Sequence, residues 1–206
     1  MKYLNLGRRL ETCQQYRVVI TGTPGVGKHS TAMFLTKKLI GSRIIDINKV
    51  ALGHDVFLKN INGQRTDEVN LKKLSPLIEK ELQLHDRCII IGHLAPYVVN
   101  PKEIALAAVL RRSPYHLSRT LENRGYAISK VNDNVVSEIL DISFFDTLRV
   151  FGAAKTTEID TSNMALFEVA DIIESTLFGK CDRKIGTTDW MSLICRNGDS
   201  NKFLQL

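Results

Sequence analysis

Long apolar runs are missing from this chain. No stretch of eighteen or more apolar residues occurs, so nothing reads as a membrane span. The opening MKYLNLGRRLETCQQYR is basic, but it has neither an apolar h-region nor a small-residue cleavage site. It reads as an extension ahead of the first strand, not as a secretory signal. Cysteine is sparse and scattered: Cys13, Cys88, Cys181 and Cys195 show no CxxC spacing, which argues against a zinc site and against a disulfide framework. The expected compartment is a reducing cytoplasm. Internal repeats and low-complexity tracts are absent, and the single tryptophan, Trp190, is expected to anchor an otherwise polar, irregular C-terminal tail.

What is present fits one domain with a real core: 206 residues, 44% hydrophobic and 24% charged. The net charge of +6 suits polyanionic partners, nucleotides or nucleic acid, or simply a solvated basic surface. YRVVITG at 16–22 is a β-branched run ending at glycine, as expected of a buried parallel strand. RIIDIN at 43–48, RCIIIG at 87–92, EIALAAVL at 103–110 and KTTEID at 155–160 read as four more strands, alternating with helical patterns. The pattern predicts an α/β fold with a mostly parallel five-stranded sheet. Helices are expected over about 28–40, after Ser113-Pro114 up to Gly125, from a Ser129 cap through Val131, Val135, Ile139 and Ile142, and from a Ser162 cap through Leu166, Val169, Ile173 and Leu177. Pro76 should end or restart a helix.

GTPGVGKHS at 22–30 satisfies GxxxxGK after a predicted strand and before a predicted helix, the context of a phosphate-cradling loop. Gly22, Gly25 and Gly27 free backbone N–H groups of the loop to point at phosphate oxygens, with Lys28 and the helix N-terminus supplying positive potential. His29 stands where a hydroxyl normally helps hold Mg²⁺, and imidazole is a poor substitute for that ion. Ser30 follows, either facing the phosphates or merely starting the helix. Downstream, a predicted strand ends in Arg111, a helix carries Arg119, and Arg124-Gly125-Tyr126 makes a turn. Arginines on a short lid suit phosphoryl transfer, where positioned cations do most of the work; a solvated basic helix face explains Arg119 and Arg124 less specifically.

The loop resembles the GxPGxGKGT of adenylate kinase-type nucleoside monophosphate kinases, in which the hydroxyl comes second after the lysine. Residues 109–141 look like the lid of a small atypical adenylate kinase and ATPase family, the coilin-interacting nuclear ATPase (adenylate kinase isoenzyme six) type. Leu110-Arg111, Pro114, Leu121, Arg124-Gly125-Tyr126, Lys130, Asn134-Val135 and Glu138-Ile139-Leu140-Asp141 stand in register with its pattern, and "GHL" and Asp189-Trp190 look archaeal. The resemblance implies a P-loop NTPase three-layer sandwich, nucleoside monophosphate kinase-like with a short lid. It implies ATP and Mg²⁺ as cofactors, AMP or a related monophosphate as acceptor, accompanying ATPase activity, and a link to small-ribosomal-subunit maturation through a ribosomal protein and pre-ribosomal RNA. Residues 1–16 would be an extension, 17–180 the kinase domain with an acceptor insertion at about 48–70 and a lid at about 123–133, and 181–206 a tail. Lys28, Arg124, His93 and Arg119 would be catalytic. Gly22, Pro24, Gly25, Val26, Gly27, Lys28, His29, Ser30, Arg111, Arg124 and Asp160 would contact nucleotide.

One departure stands out. Where the family's third strand carries an acid two residues before its histidine, this chain has Ile91. Either Asp46, ending the second strand, substitutes, with Ser30, as a Mg²⁺ ligand, or the ion is held mainly by ATP oxygens and water. His93 either orders water or acceptor phosphate, or is a structural histidine. Arg65 is the expected cation for the acceptor phosphate, or a plain surface arginine, and Asp160 with Thr161 either borders adenine or caps a helix. Two other readings remain: a nucleotide-gated assembly factor with little kinase flux, and a small-metabolite kinase of shikimate kinase shape.

Overall fold

The computed structural model describes residues 15–59 and 65–204. Five parallel strands form the central sheet: β1 (Tyr16–Thr21), β2 (Arg43–Asp46), β5 (Arg87–Ile91), β6 (Leu106–Arg111) and β7 (Thr156–Asp160), in the order β2-β5-β1-β6-β7. A two-stranded antiparallel ribbon, β3 (Phe57–Lys59) and β4 (Arg65–Val69), stands apart from it. Strands buried on both faces need apolar residues at every position, and Val18, Val19, Ile20, Ile89 and Ile90 supply them.

Alternation along the strands sends Val18, Ile20, Ile89, Leu106, Ala108 and Leu110 to one face. There they meet α1 (Lys28–Lys38), α5 (Pro114–Asn123), α6 (Ile128–Ile139) and α8 (Leu166–Leu177). Val19, Ile45, Ile90 and Ala107 face the opposite layer, built by α2 (Ile47–Gly53), α3 (Leu71–Gln83), α4 (Ala95–Val98) and α7 (Ile142–Phe151). The result is a three-layer sandwich. β5 and β6 flank β1 on opposite sides, so the chain reverses its direction of build at the carboxyl end of β1. In open α/β sheets that reversal opens the crevice in which ligands bind.

Several expected helix boundaries are corrected. The helix expected from Ser129 through Ile142 is two helices: α6 starts at Ile128 after Ala127, and the chain breaks at Leu140 and Asp141 before α7. Asp141 sits at φ 58, a conformation a short polar side chain tolerates, and this aims its carboxylate at Arg111. Pro76 lies inside α3 without ending it, because the carbonyl of Lys72 that loses its partner lies on an exposed stretch of the helix, open to water. Ser162 does not cap α8; its hydroxyl bonds Asp160, while the Glu168 carboxylate accepts the Ala165 N–H at the helix start. Ser113 occupies the expected cap position of α5, but its hydroxyl makes no cap bond; its N–H donates to Ser162 Oγ.

The tail is more ordered than its composition suggests. The Glu158 N–H donates to the Lys184 carbonyl, so the chain runs beside the edge strand β7 before forming α9 (Trp190–Arg196) and α10 (Ser200–Leu204). Tyr115 and Phe203 meet edge to face at 5.1 Å, and the Tyr115 hydroxyl donates to Asp199. Trp190 is buried, as expected of an anchor. Among the described residues, no helix is long and apolar enough to cross a membrane.

Candidate nucleotide site

The loop between β1 and α1 is shaped by close packing. A Cβ on Gly22, at φ 128, would stand 2.3 Å from the Leu110 carbonyl oxygen, a backbone atom that cannot yield. A Cβ on Gly25 would meet Leu117 and Leu121, so α5 lies directly against the loop. The loop is tied at two further points. Thr161 Oγ1 bonds the carbonyls of Val26 (3.1 Å) and Arg111 (2.9 Å), and Thr23 Oγ1 donates to Glu138 Oε2 at 2.5 Å.

Glu138 is the hub behind the loop. At 1% exposure it accepts from Arg111 Nε (2.7 Å), the Arg112 N–H (3.1 Å), Trp190 Nε1 (3.1 Å) and Thr23. Arg111, equally buried, also reaches Glu158 (2.7 Å), the Glu138 carbonyl (3.0 Å) and Asp141. The expected nucleotide contact by Arg111 is therefore corrected. Alternation at the end of β6 puts Arg111 on the face of Ala107, against the Phe144 ring of α7. Its guanidinium braces the loop from behind. Since Glu138 touches both Thr23 and the only indole, Trp190 emission is expected to change on saturation with nucleotide; an unchanged spectrum counts against this linkage.

Arg112 is the functional candidate that the sequence reading missed. It follows Leu110 in the alternation, on the phosphate-loop face; its Nε is buried without a partner, and it lies near both Arg124 and Asp160. Burial first, then Arg124, disfavour its charge, while Asp160 favours it. Lys28 folds over the loop and donates to the carbonyls of Gly22 (2.7 Å) and Thr23 (3.0 Å). Burial pulls its pKa down to about 8, with Arg124 acting in the same direction and Glu138 and Asp46 opposing. Arg124 thus repels both Lys28 and Arg112, a repulsion that binding of an anion would relieve.

A pH dependence follows. The ammonium is the form that binds phosphate, and in the free protein it is lost as pH rises through about 8. Nucleotide affinity should hold below that pH and fall roughly tenfold per unit above it. Calorimetry at pH 8.5 in two buffers of different ionisation heat should show proton uptake; no uptake and a flat affinity up to pH 9.5 would contradict this.

His93 follows β5 and Gly92. Gly92 is held against α2, where an added Cβ would come within 2.9 Å of Ile47. Burial and then Lys28 lower the His93 pKa to about 4, so at neutral pH it is an uncharged donor and acceptor. It lines a cleft of about 530 Å³ between α2, the β3–β4 ribbon and the start of α3, with walls from Ala51, Leu52, Phe57, Val69 and Leu94 and polar groups from Asn48 and Glu68. The side chain of Arg65, at the start of β4, lies outside the described residues.

Arg119 is not brought to the loop. Leu117 and Leu121 of α5 face Gly25, whereas Arg119 stands about half a turn away on the exposed side of the helix. Asp160 is occupied with the Ser162 N–H (2.8 Å) and hydroxyl (2.5 Å) at the loop's far edge. Asp46 caps α2 through Oδ1, which accepts from the Asn48 and Lys49 N–H groups, and turns Oδ2 to His29 Nδ1 at 3.6 Å. Ser30 is exposed and Ile91 is buried in the core. The donors beside the loop are therefore one imidazole, one carboxylate and one hydroxyl, not the all-oxygen set that Mg²⁺ takes. Among the described residues, no group of three or more His, Cys, Asp or Glu could hold a metal ion, so any ion here would need phosphate oxygens as further ligands.

Comparison with known proteins agrees with this geometry. A family model described as an AAA domain matches residues 18–141. Over 174 residues the chain is 32% identical to a protein of Methanocaldococcus jannaschii named "Putative adenylate kinase", covering 84% of this chain and 92% of that one. A protein of the same name from Pyrococcus abyssi is 30% identical over 174 residues, covering 84% and 90%. Among solved structures, shikimate kinase from Acinetobacter baumannii in complex with shikimate superposes with a TM-score of 0.59 at 12% identity, covering 85% of this chain and 99% of that one. A gluconokinase from Sinorhizobium meliloti gives 0.52 at 13% identity, covering 81% and 93%. The fold is that of a P-loop NTPase of the kinase-like α/β class. More narrowly, the chain belongs to the adenylate kinase-like family of P-loop proteins defined by those archaeal relatives.

Proposed function

We propose that this protein transfers the γ-phosphoryl group of ATP to a nucleoside monophosphate, with AMP as the acceptor to test first, releasing two diphosphates. The carrying observation is the position of His93. It lies within electrostatic reach of Lys28 and also lines the apolar cleft, so a donor and an acceptor would meet at that residue. In this reading the backbone N–H groups of Gly22, Gly25 and Gly27 hold the donor phosphates, and Lys28 bridges toward the transferred group. Arg124 and Arg112 offset charge on its equatorial oxygens, and neutral His93 hydrogen-bonds the acceptor phosphate. An acceptor oxygen attacks the γ-phosphorus as the bridging oxygen leaves with ADP.

The acceptor insertion at 48–70, the lid at 123–133 carrying Arg124, an acceptor contact from Arg65 and an adenine border at Asp160 belong to the same proposal. With the acceptor cleft empty, water in its place would give slow ATP hydrolysis. Purified protein with ATP, a divalent cation and AMP should form ADP, followed by phosphorus NMR. Turnover no higher than that of Lys28→Ala would refute the kinase reading.

A second reading is a nucleotide-gated factor for small-ribosomal-subunit assembly, with a ribosomal protein and pre-ribosomal RNA as partners. Ile91 in place of an acid and the tail joined to Glu138 through Trp190 favour slow turnover coupled to a moving surface. Capture of such partners should depend on ATP; retention indifferent to nucleotide would exclude gating.

A further inference from the structure

We propose that Trp190, carried by the C-terminal tail, is a positioning residue for the phosphate loop: its indole N–H fixes Glu138, Glu138 fixes Thr23, and the tail thereby sets how tightly the loop holds the donor nucleotide. The proposal rests on the loop binding that nucleotide as described above. The two oxygens of Glu138 are unequally used. Oε1 accepts from Arg111 Nε (2.7 Å), the Arg112 N–H (3.1 Å) and Trp190 Nε1 (3.1 Å), whereas Oε2 takes Thr23 at 2.5 Å. A carboxylate is rigid and planar, so donors gathered on one oxygen fix where the other points. Arg111 and Arg112 stand at the end of β6, but the third donor comes from the tail, 52 residues beyond Glu138. At the far end of the relay, the Thr23 carbonyl accepts from Lys28 Nζ (3.0 Å) and from the Val26 N–H (3.4 Å). A displaced Thr23 would therefore carry the turn of the loop and its lysine with it.

The tail holds the indole at a defined place. Just before it, the Thr187 N–H and the Thr187 and Thr188 hydroxyls close on Glu158 at 2.6, 3.0 and 2.5 Å, and Asp189 caps α9 by accepting the Ser192 N–H. Trp190 and Ile194 are buried, whereas residues 179–187 are exposed, so a surface strap delivers an anchor into the interior. Packing alone would be met by any large apolar ring; an indole adds a buried N–H, and here that N–H is spent on the carboxylate that holds the loop.

ATP affinity of the full-length protein, measured where melting curves show each variant folded, tests this. Trp190→Phe keeps an aromatic anchor and deletes the donor; it should weaken ATP binding about five- to tenfold and AMP binding by less than about twofold. In a Thr23→Val background the same substitution should cost less than about twofold, because the relay is already cut. If phenylalanine prevents folding, benzothienylalanine in place of the single tryptophan keeps the bicyclic ring without the N–H and serves the same comparison. Unchanged ATP affinity, or an equal loss in both backgrounds, would make Trp190 an anchor of the tail only and overturn the proposal. ATP binding undiminished in Lys28→Ala would instead overturn the nucleotide reading beneath it.

Discussion

Lys28→Ala should lower phosphoryl transfer by about 10²- to 10³-fold or more, with little change in the unfolding midpoint. The two effects separate because the folded protein carries this ammonium at a cost. Burial and the nearby Arg124 pull its pKa to about 8, and only two loop carbonyls hold it. Alanine removes that cost together with the two hydrogen bonds. The catalytic loss is not recoverable, since no other described cation donates into the loop and a point charge on a flexible stem is what the fold of the loop admits. Lys28→Arg should fail nearly as badly. Parallel rate and melting measurements check this. A folded alanine variant keeping more than about a tenth of the wild-type rate would remove Lys28 from the mechanism.

Arg111→Met is expected to cost about 3–5 kcal/mol of stability, a large part of the 5–15 kcal/mol typical of a domain. Arg111 is the counter-charge for Glu138 and Glu158, both buried, and for Asp141. Methionine fills similar volume but leaves two buried carboxylates unpaired. Arg111→Lys should rescue little, because one ammonium cannot serve three carboxylates on different elements. Pairing Arg111→Met with Glu158→Gln should recover part of the loss, since the Thr187 N–H and the Thr187 and Thr188 hydroxyls remain as partners for residue 158. Because Glu138 also holds Thr23, Arg111→Met should weaken nucleotide binding even where it stays folded. Urea unfolding measures the first effect, and an unchanged midpoint would show the network to be dispensable.

The sheet was legible because strands buried on both faces must be apolar throughout, and all five expected strands are present within a few residues at either end. The loop was legible because its glycines answer to backbone geometry. The arginines were not, and the reason is parity. Arg111 and Arg112 are adjacent, so they lie on opposite faces of the sheet, and resemblance alone pointed to the first of the pair. Counting alternation from Leu106 to Leu110 would have put Arg112 on the phosphate-loop side. Glu138 was noticed only as part of a matching string. Its role as hub depends on residues 23, 111 and 190, whose meeting no local pattern encodes. Asp141 broke the expected helix because its carboxylate is needed at Arg111, a tertiary demand that outweighs helical periodicity. His29 stands at a hydroxyl position, and only the fold reveals that its Nδ1 faces Asp46 Oδ2 at 3.6 Å.

The central claim is that donor and acceptor meet between the phosphate loop and the His93 cleft. A crystal structure with a dinucleoside pentaphosphate that joins both substrates tests it most directly. The account predicts one nucleoside beside Asp160, the phosphate chain over Lys28 and within reach of Arg112 and Arg124, and the second nucleoside between Leu52, Phe57 and Leu94. A second nucleoside left in solvent, or bound away from His93, would contradict it.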